Sequence, residues 1–257
     1  MTSAFLLDLG QCIGCQGCVV ACNTGNELAE GTNYIRINEQ IRGAFPDLAG
    51  GFENRRCYHC TDAACVEVCP TGAMYREDGL TRVNADACSG CQYCVQACPF
   101  GVPHMAGGVA TKCDGCRDVV RAGGSPWCVT TCPSDALRFD DAEVIAAEAH
   151  RRVGVLRRKY PNAQVYGQSE AGGLGVLMVL PDDPQTLGLP VDPKIPVSAE
   201  AWQRGVKPLS LGSTALAMIG AGLAAVIARR NHMQELRQLE LAEADVSTAG
   251  DAGEETS

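Results

Sequence analysis

Cys12, Cys15, Cys18 and Cys22 form a run of four cysteines closed by C-x3-C. The chain repeats it as Cys57, Cys60, Cys65 and Cys69; Cys88, Cys91, Cys94 and Cys98; and Cys113, Cys116, Cys128 and Cys132. These sixteen are all its cysteines, and none follows Cys132. The first and third runs keep C-x2-C-x2-C-x3-C, a spacing with which thiolates hold 4Fe-4S clusters. Two-residue gaps turn three successive thiolates onto one small cubane. The fourth, three residues further on at a helix start, points away and ligates a second cluster. Pro70, Pro99 and Pro133 follow three of the runs and fix the direction in which the chain leaves; Asn23 takes that place in the first. No position is substituted in any run. Four 4Fe-4S clusters of one kind are therefore expected, and the chemistry they offer is electron transfer.

Zinc also takes C-x2-C pairs, but its sites need two such pairs far apart and have no use for a C-x3-C-Pro ending. A zinc-binding structural scaffold is the alternative reading of another class. A disulfide framework suits small secreted domains, and within each run these cysteines lie too close in sequence to pair in good geometry. His59 and His104 stand beside the cysteine loops and read as packing or hydrogen-bonding residues. No residue reads as catalytic.

Short strand-like runs must position these loops. Phe5 to Leu9 leads into the first run, Ala136 to Asp140 follows the fourth, and Ala73 to Asn84 reads as a hairpin across Asp78-Gly79, a dipeptide suited to a two-residue turn. Strand, cluster loop, short helix and strand is the unit of ferredoxin-like folds. The expected class is α+β: residues 1–140 as two pseudo-symmetric ferredoxin-like modules with four 4Fe-4S clusters, plus one C-terminal transmembrane helix. Spacing leaves open which runs pair. The eighteen residues between Cys69 and Cys88 favour pairing the second run with the third, nested inside the first and fourth.

Residues 141–200 are expected to form a helix, a strand pair and a Pro-rich strap. Asp140 to Tyr160 has an acidic start, apolar Val144, Ile145, Val153 and Leu156, and a stop at Pro161. Its basic residues Arg151, Arg152, Arg157, Arg158 and Lys159 read as a solvated face. Ala163 to Tyr166 and Gly175 to Leu180 are strand-like. The glycines between them lack the G-x-G-x-x-G of a nucleotide loop. Five prolines between Pro181 and Pro196 make a strap too rigid and polar for core.

Leu209 to Ala228 is twenty residues without a charge, a helix of about 30 Å, which matches a bilayer's hydrocarbon. Residues 201–230 are thus expected to cross a membrane once, with Trp202 near one interface and Arg229-Arg230 closing the other. Small residues at Ser213, Ala217, Ala221 and Ala225, and at Gly220, Ala224 and Ala228, would allow close approach of a partner's membrane helix. Residues 231–257 form an acidic tail, expected to be disordered from Glu240 onward. Arg229, Arg230 and Arg237 outweigh Arg204 and Lys207, which favours a cytoplasmic C-terminus and a cluster domain on the periplasmic side. Neither a basic leader nor a twin-arginine pair precedes Phe5, so an exported chain would travel with a partner that carries the signal.

Aromatic residues make up only 5% of the 257, too few for one large apolar core, so cluster binding is expected to supply folding free energy and the apoprotein to fold poorly. The formal net charge of -9, before any thiolate is counted, excludes nucleic acid as a partner.

The runs "CIGCQGCVVAC", "CYHCTDAACVEVCPTGA", "CSGCQYCVQACPFGVP" and "KCDGCRDVVRAGGSPWCVTTCPSDAL" resemble the four-cluster ferredoxin-type iron-sulfur (beta) subunits of membrane-bound molybdopterin oxidoreductases, over about half the chain. Farther on, "VYGQSEAGGLGVLMVL", "GLPVDPKIP" and "WQRGVKPL" before one terminal apolar helix resemble the beta subunit of quinone-linked, nitrate-inducible respiratory formate dehydrogenase. Likeness to the equivalent subunit of a quinone-linked nickel-iron hydrogenase is looser, and sulfur-compound reductases share the cysteine pattern. The resemblance implies ligand sets that mix the runs: Cys12, Cys15, Cys18 and Cys132; Cys22, Cys113, Cys116 and Cys128; Cys57, Cys60, Cys65 and Cys98; Cys69, Cys88, Cys91 and Cys94. It implies electron relay between a catalytic subunit carrying a molybdenum or tungsten bis-pterin cofactor and a membrane cytochrome b or other quinone-reactive subunit. The short lead before Cys12 and the acidic tail after Arg230 depart from the pattern without touching a ligand.

Overall fold

Ala4 to Leu7 is apolar at every position, which a strand tolerates only where both its faces are covered. It lies in β1 (Ser3–Asp8). The computed structural model describes residues 2–194, 212–214 and 216–234. In its first unit, β1 joins β8 (Leu137–Asp141), β9 (Gln164–Tyr166) and β10 (Val176–Leu180) in a sheet of order β8-β1-β10-β9. β1 runs parallel to β10, with Phe5 opposite Val176 and Leu7 opposite Met178; the two outer pairings are antiparallel.

Successive side chains of a strand alternate between faces, and here each face serves a different core. Ala4, Leu6, Leu177 and Val179 pack against α6 (Ala142–Leu156), whose buried Ile145, Ala149, Val153 and Leu156 recur at helical spacing. Phe5, Leu7, Val176, Met178 and Leu180 face the other way and pack with Cys18, Cys22 and Cys128. The segment after residue 140 is therefore the other half of the sheet that carries the cysteine loops, and 1–200 is one unit. Residue 140 marks where cysteine chemistry stops and not where packing does.

The cysteine loops carry α1 (Gly17–Gly25), α2 (Ala64–Glu67), α3 (Tyr93–Ala97), α4 (Arg117–Arg121) and α5 (Trp127–Thr130). The expected hairpin is β4 (Met74–Glu77) and β5 (Leu80–Val83), with Asp78 and Gly79 both at positive φ, as a twisted two-residue turn requires. Two hairpins were not foreseen: β2 (Arg36–Ala44) with β3 (Asp47–Arg55), and β6 (His104–Ala106) with β7 (Val109–Thr111).

Other expectations need correction. Asp141 stands at the start of α6, but its side chain caps nothing. Arg152 is not a solvated residue: its Nε reaches buried Asp8 at 2.6 Å, an ion pair that fixes α6 to the end of β1. Within the Pro-rich strap, Leu187 and Leu189 are buried in the main core and the Tyr166 hydroxyl donates to the Pro190 carbonyl at 2.7 Å. Tight prolines do not keep neighbouring leucines out of a core.

The second unit contains α7 (Gly212–Gln234), long and apolar enough to cross a membrane. Its Leu216, Ile219, Leu223, Val226 and Ile227 are exposed. The helix continues through Arg229-Arg230, so that pair ends the apolar stretch and not the helix. Leu209, Trp202, Arg204, Lys207, Arg237 and the acidic tail lie outside the described residues.

Candidate iron-sulfur sites

The first C-x2-C loop of each run must reverse its chain so that both thiols point inward. The residue before the second cysteine does this at positive φ: Gly14 (65°), Gly90 (70°) and Gly115 (77°). Glycine reaches that region without strain. The second run has His59 there, at φ 50°, where a side chain is disfavoured. Its ring is fully buried, Nδ1 sits 3.1 Å from both the amide and the carbonyl of Thr81, and the thiols of Cys57 and Cys113 lie beside it. His59 is thus a packing and hydrogen-bonding residue, as the sequence suggested, placed where two cysteine runs meet.

The loops are anchored to the sheet. The Asp8 carbonyl, at the end of β1, accepts from the amides of Gln11 and Cys12, while its carboxylate takes the Gly10 amide at 2.9 Å. The Cys116 amide donates to the Asp114 carboxylate at 2.8 Å.

The structure brings the sixteen cysteines together in sets that mix the runs. Cys12, Cys15, Cys18 and Cys132 line one cavity of about 340 Å³, mouth included. Cys57, Cys60, Cys65 and Cys98 line a second of about 340 Å³, and Cys69, Cys88, Cys91 and Cys94 a third of about 310 Å³. Cys22 has Cys113, Cys128 and Cys116 as its thiol neighbours. Among the described residues no three His, Cys, Asp or Glu side chains converge tightly enough for a single metal ion.

Contacts between sets put them in a line. Cys18 neighbours Cys128, Cys113 neighbours Cys57, and Cys65 neighbours Cys94. The two end sets hold the exposed cysteines, Cys15 and Cys91.

Burial, helped by neighbouring thiols, pushes eight of the sixteen thiols up, among them Cys18, Cys94 and Cys116 to about 11 and Cys22 and Cys65 to about 12. Left alone they would stay protonated at neutral pH; iron, which binds the thiolate, displaces the proton. Cys57 and Cys113 behave differently. Burial alone would raise both, but the adjacent His59, with Lys112 for Cys57 and Arg56 for Cys113, holds them below the ordinary thiol value. His59 in turn is pulled down by burial, yet the charges of the adjacent Cys57 and Cys113 carry it up to about 9.

Donors already point at the sulfurs: Met74 amide to Cys69, Ala110 amide to Cys88, Asn26 Nδ2 to Cys22 and Arg56 Nη2 to Cys128, each at 3.4 Å. Among the described residues, His59 Nε2, Arg56 Nε and Arg56 Nη1 are buried without hydrogen-bond partners. Thiols that do not converge on one ion, with spare buried donors beside them, fit a sulfur-rich cluster and suit zinc poorly. Sequence reasoning passed over Arg56 and Lys112. The signal was there: each immediately precedes the first cysteine of a run, in "RRCYHC" and "TKCDGC".

Models described as 4Fe-4S dicluster domains match residues 11–73 and 49–142. Two such domains, with thiols gathered in the loops between short helices and strands, define an iron-sulfur protein of electron transfer. Among curated proteins, the thiosulfate reductase electron transfer subunit PhsB of Salmonella typhi is 44% identical over 65% of this chain and 85% of its own length. The formate dehydrogenase iron-sulfur subunit of Haemophilus influenzae is 36% identical over 87% and 78%. The nitrate-inducible formate dehydrogenase iron-sulfur subunit of Escherichia coli is 33% identical over 80% and 79%. The chain belongs to this family of 4Fe-4S electron-transfer subunits. Its cofactors are 4Fe-4S clusters, which take up and release single electrons.

Proposed function

We propose that this chain relays electrons through four 4Fe-4S clusters between a molybdenum or tungsten bis-pterin subunit that oxidises formate and a quinone-reactive subunit in the membrane. The ligands would be the four mixed sets described above, in two pseudo-symmetric ferredoxin-like modules, one from the first and fourth runs and one from the second and third. The observation that carries this reading is the line of sets with an exposed cysteine at each end. Electrons can enter at one surface and leave at another, and buried thiols, donors and cations in between keep water out. α7 would anchor the chain as a single span; Arg229 and Arg230 favour a cytoplasmic C-terminus, with the cluster domain on the periplasmic side.

Formate is preferred because a match over 87% or 80% of the chain necessarily runs past residue 200, into the segment that distinguishes subunits of this kind. A sulfur-compound reductase is the second reading, favoured by the higher identity to the thiosulfate reductase subunit over 176 residues. The holo complex, purified in detergent, separates them. Molybdenum or tungsten with formate-dependent quinone reduction supports the first, and thiosulfate turnover without formate activity, or nickel in the large subunit, overturns it. The cluster content is tested alongside: about sixteen iron and sixteen sulfide per chain are expected (four cubanes), and a colourless zinc protein would end both readings.

A further inference from the structure

Arg56 is the largest of the fully buried side chains, 1% exposed. A buried cation is costly unless anions surround it, and among the described residues no carboxylate pairs with this one. Nη2 donates to Cys128 Sγ at 3.4 Å, and the guanidinium carbon lies 4.8 Å from the centroid of the Phe5 ring in β1. Its other anionic neighbours are also thiols: Cys113 and Cys18, with Cys22 close by. Nε and Nη1 have no hydrogen-bond partner among the described residues. Three of those four sulfurs belong to one set, and the one direct hydrogen bond among the described residues goes to it.

We propose that Arg56 sets the reduction potential of the cluster held by Cys22, Cys113, Cys116 and Cys128, making it the electron well of the relay. The inference rests on the ligand sets proposed above. A fixed positive charge in a low-dielectric interior favours the more negative, reduced form, and N–H donors to sulfur act in the same direction. Cys18 gives the first set a weaker share of this field. The set of Cys69, Cys88, Cys91 and Cys94 has none of its thiols beside Arg56, so the effect is local.

The test is EPR-monitored redox titration of the full-length holo chain as wild type, Arg56→Lys and Arg56→Gln. In Arg56→Gln one of the four midpoints should fall, its reduction equilibrium weakened at least about tenfold, or ~59 mV for one electron; Arg56→Lys, which keeps the charge but not the fork, should lie between. Four unchanged midpoints in an Arg56→Gln protein with full iron would overturn the proposal. Should that variant lose iron, wild-type protein labelled with 15N-arginine decides: pulsed EPR should detect a guanidinium nitrogen at one reduced cluster, and its absence from every cluster overturns the proposal equally. Wild-type chain without acid-labile sulfide would sink the ligand reading instead, so the two failures are distinct.

Discussion

The two ends of the first unit hold their shape by different means. Where α6 covers the sheet, fifteen residues of helix bury Ile145, Ala149, Val153 and Leu156 against Ala4, Leu6, Leu177 and Val179, each large aliphatic side chain contributing about 1.5–3 kcal/mol. Around the second and third cysteine runs, α2 and α3 have four and five residues, and the hairpins have strands of four and three. Apart from Tyr58 and Leu80, which reach into the main core, the apolar clusters there are small: Ala64, Val68 and Ala97 in one patch and Met74, Cys94 and Ala110 in another. Helices that short do not persist in water by themselves, and those patches are too small to order the backbone around them. Ligation supplies there what aliphatic packing supplies under α6.

Removing the clusters should therefore separate the regions, and it is the largest effect expected. When iron is chelated from the reduced protein, amide protection should vanish over residues 57–111 and persist longest in β1, β10 and α6. Hydrogen exchange read by mass spectrometry gives the answer directly. Simultaneous loss throughout the unit would show one cooperative core and end the distinction.

Single ligands sharpen the contrast inside the cysteine region. Cys94 and Cys98 belong to one run but line different cavities. Cys94→Ser and Cys98→Ser should each remove or convert one cluster, up to about four iron, and the EPR signals they lose should differ. Cys98→Ser should instead match Cys57→Ser. If the two variants of the third run lost the same signal, the mixed sets would be wrong.

Much of this division could be read from residue types alone. Cysteine spacing carried the clusters, the Asp78-Gly79 dipeptide carried its hairpin, and Ile145, Val153 and Leu156 carried the buried face of α6, because each is a local pattern. Pairings over distance were not local. Nothing in Ser3–Asp8 says that its parallel neighbour lies at Val176–Leu180, so the cysteine-free segment looked like a separate piece. β2 and β3 escaped because Glu39, Gln40 and Arg42 on one strand and Gly50 and Gly51 on the other lack strand character; β6 and β7 are simply too short. Arg56 escaped because an arginine in a sequence reads as surface, and only the fold shows it enclosed by sulfur.

On the aliphatic side, Leu6→Ala should cost about 2–5 kcal/mol, as large-to-small changes in a close-packed core do. Leu6 is fully buried on the α6 face, while its neighbours Phe5 and Leu7 look toward the cysteines. Iron content and all four midpoints should stay unchanged in the same preparation, with stability read from loss of far-ultraviolet ellipticity in urea. A variant that lost iron in proportion to its stability would tie the two faces together.

The smallest effect tests the same boundary from outside. Glu148 accepts from Arg151 Nε at 2.6 Å and pairs with Arg138 of β8, so it links α6 to the sheet edge from the solvent side. The hydrogen bond from Arg151, opposed by slight burial and aided by the charge of Arg138, holds its carboxyl below the ordinary value of 4.5. A group depressed in this way stabilises the fold above its unfolded value and loses that contribution as pH falls through the lower folded one. Glu148→Gln should therefore lower stability by at most about 1 kcal/mol at pH 7, or about 2–4 °C in Tm. The difference from wild type should stay constant down to about pH 5 and narrow only below the ordinary carboxylate value. Because these pairs join α6 to β8 and involve no cysteine, the absorbance of the clusters should bleach at the same temperature relative to unfolding in both proteins. If Glu148→Gln released iron well before α6 melted, the helix would be supporting the cysteine loops through the sheet, and the two regions would have to be treated as one.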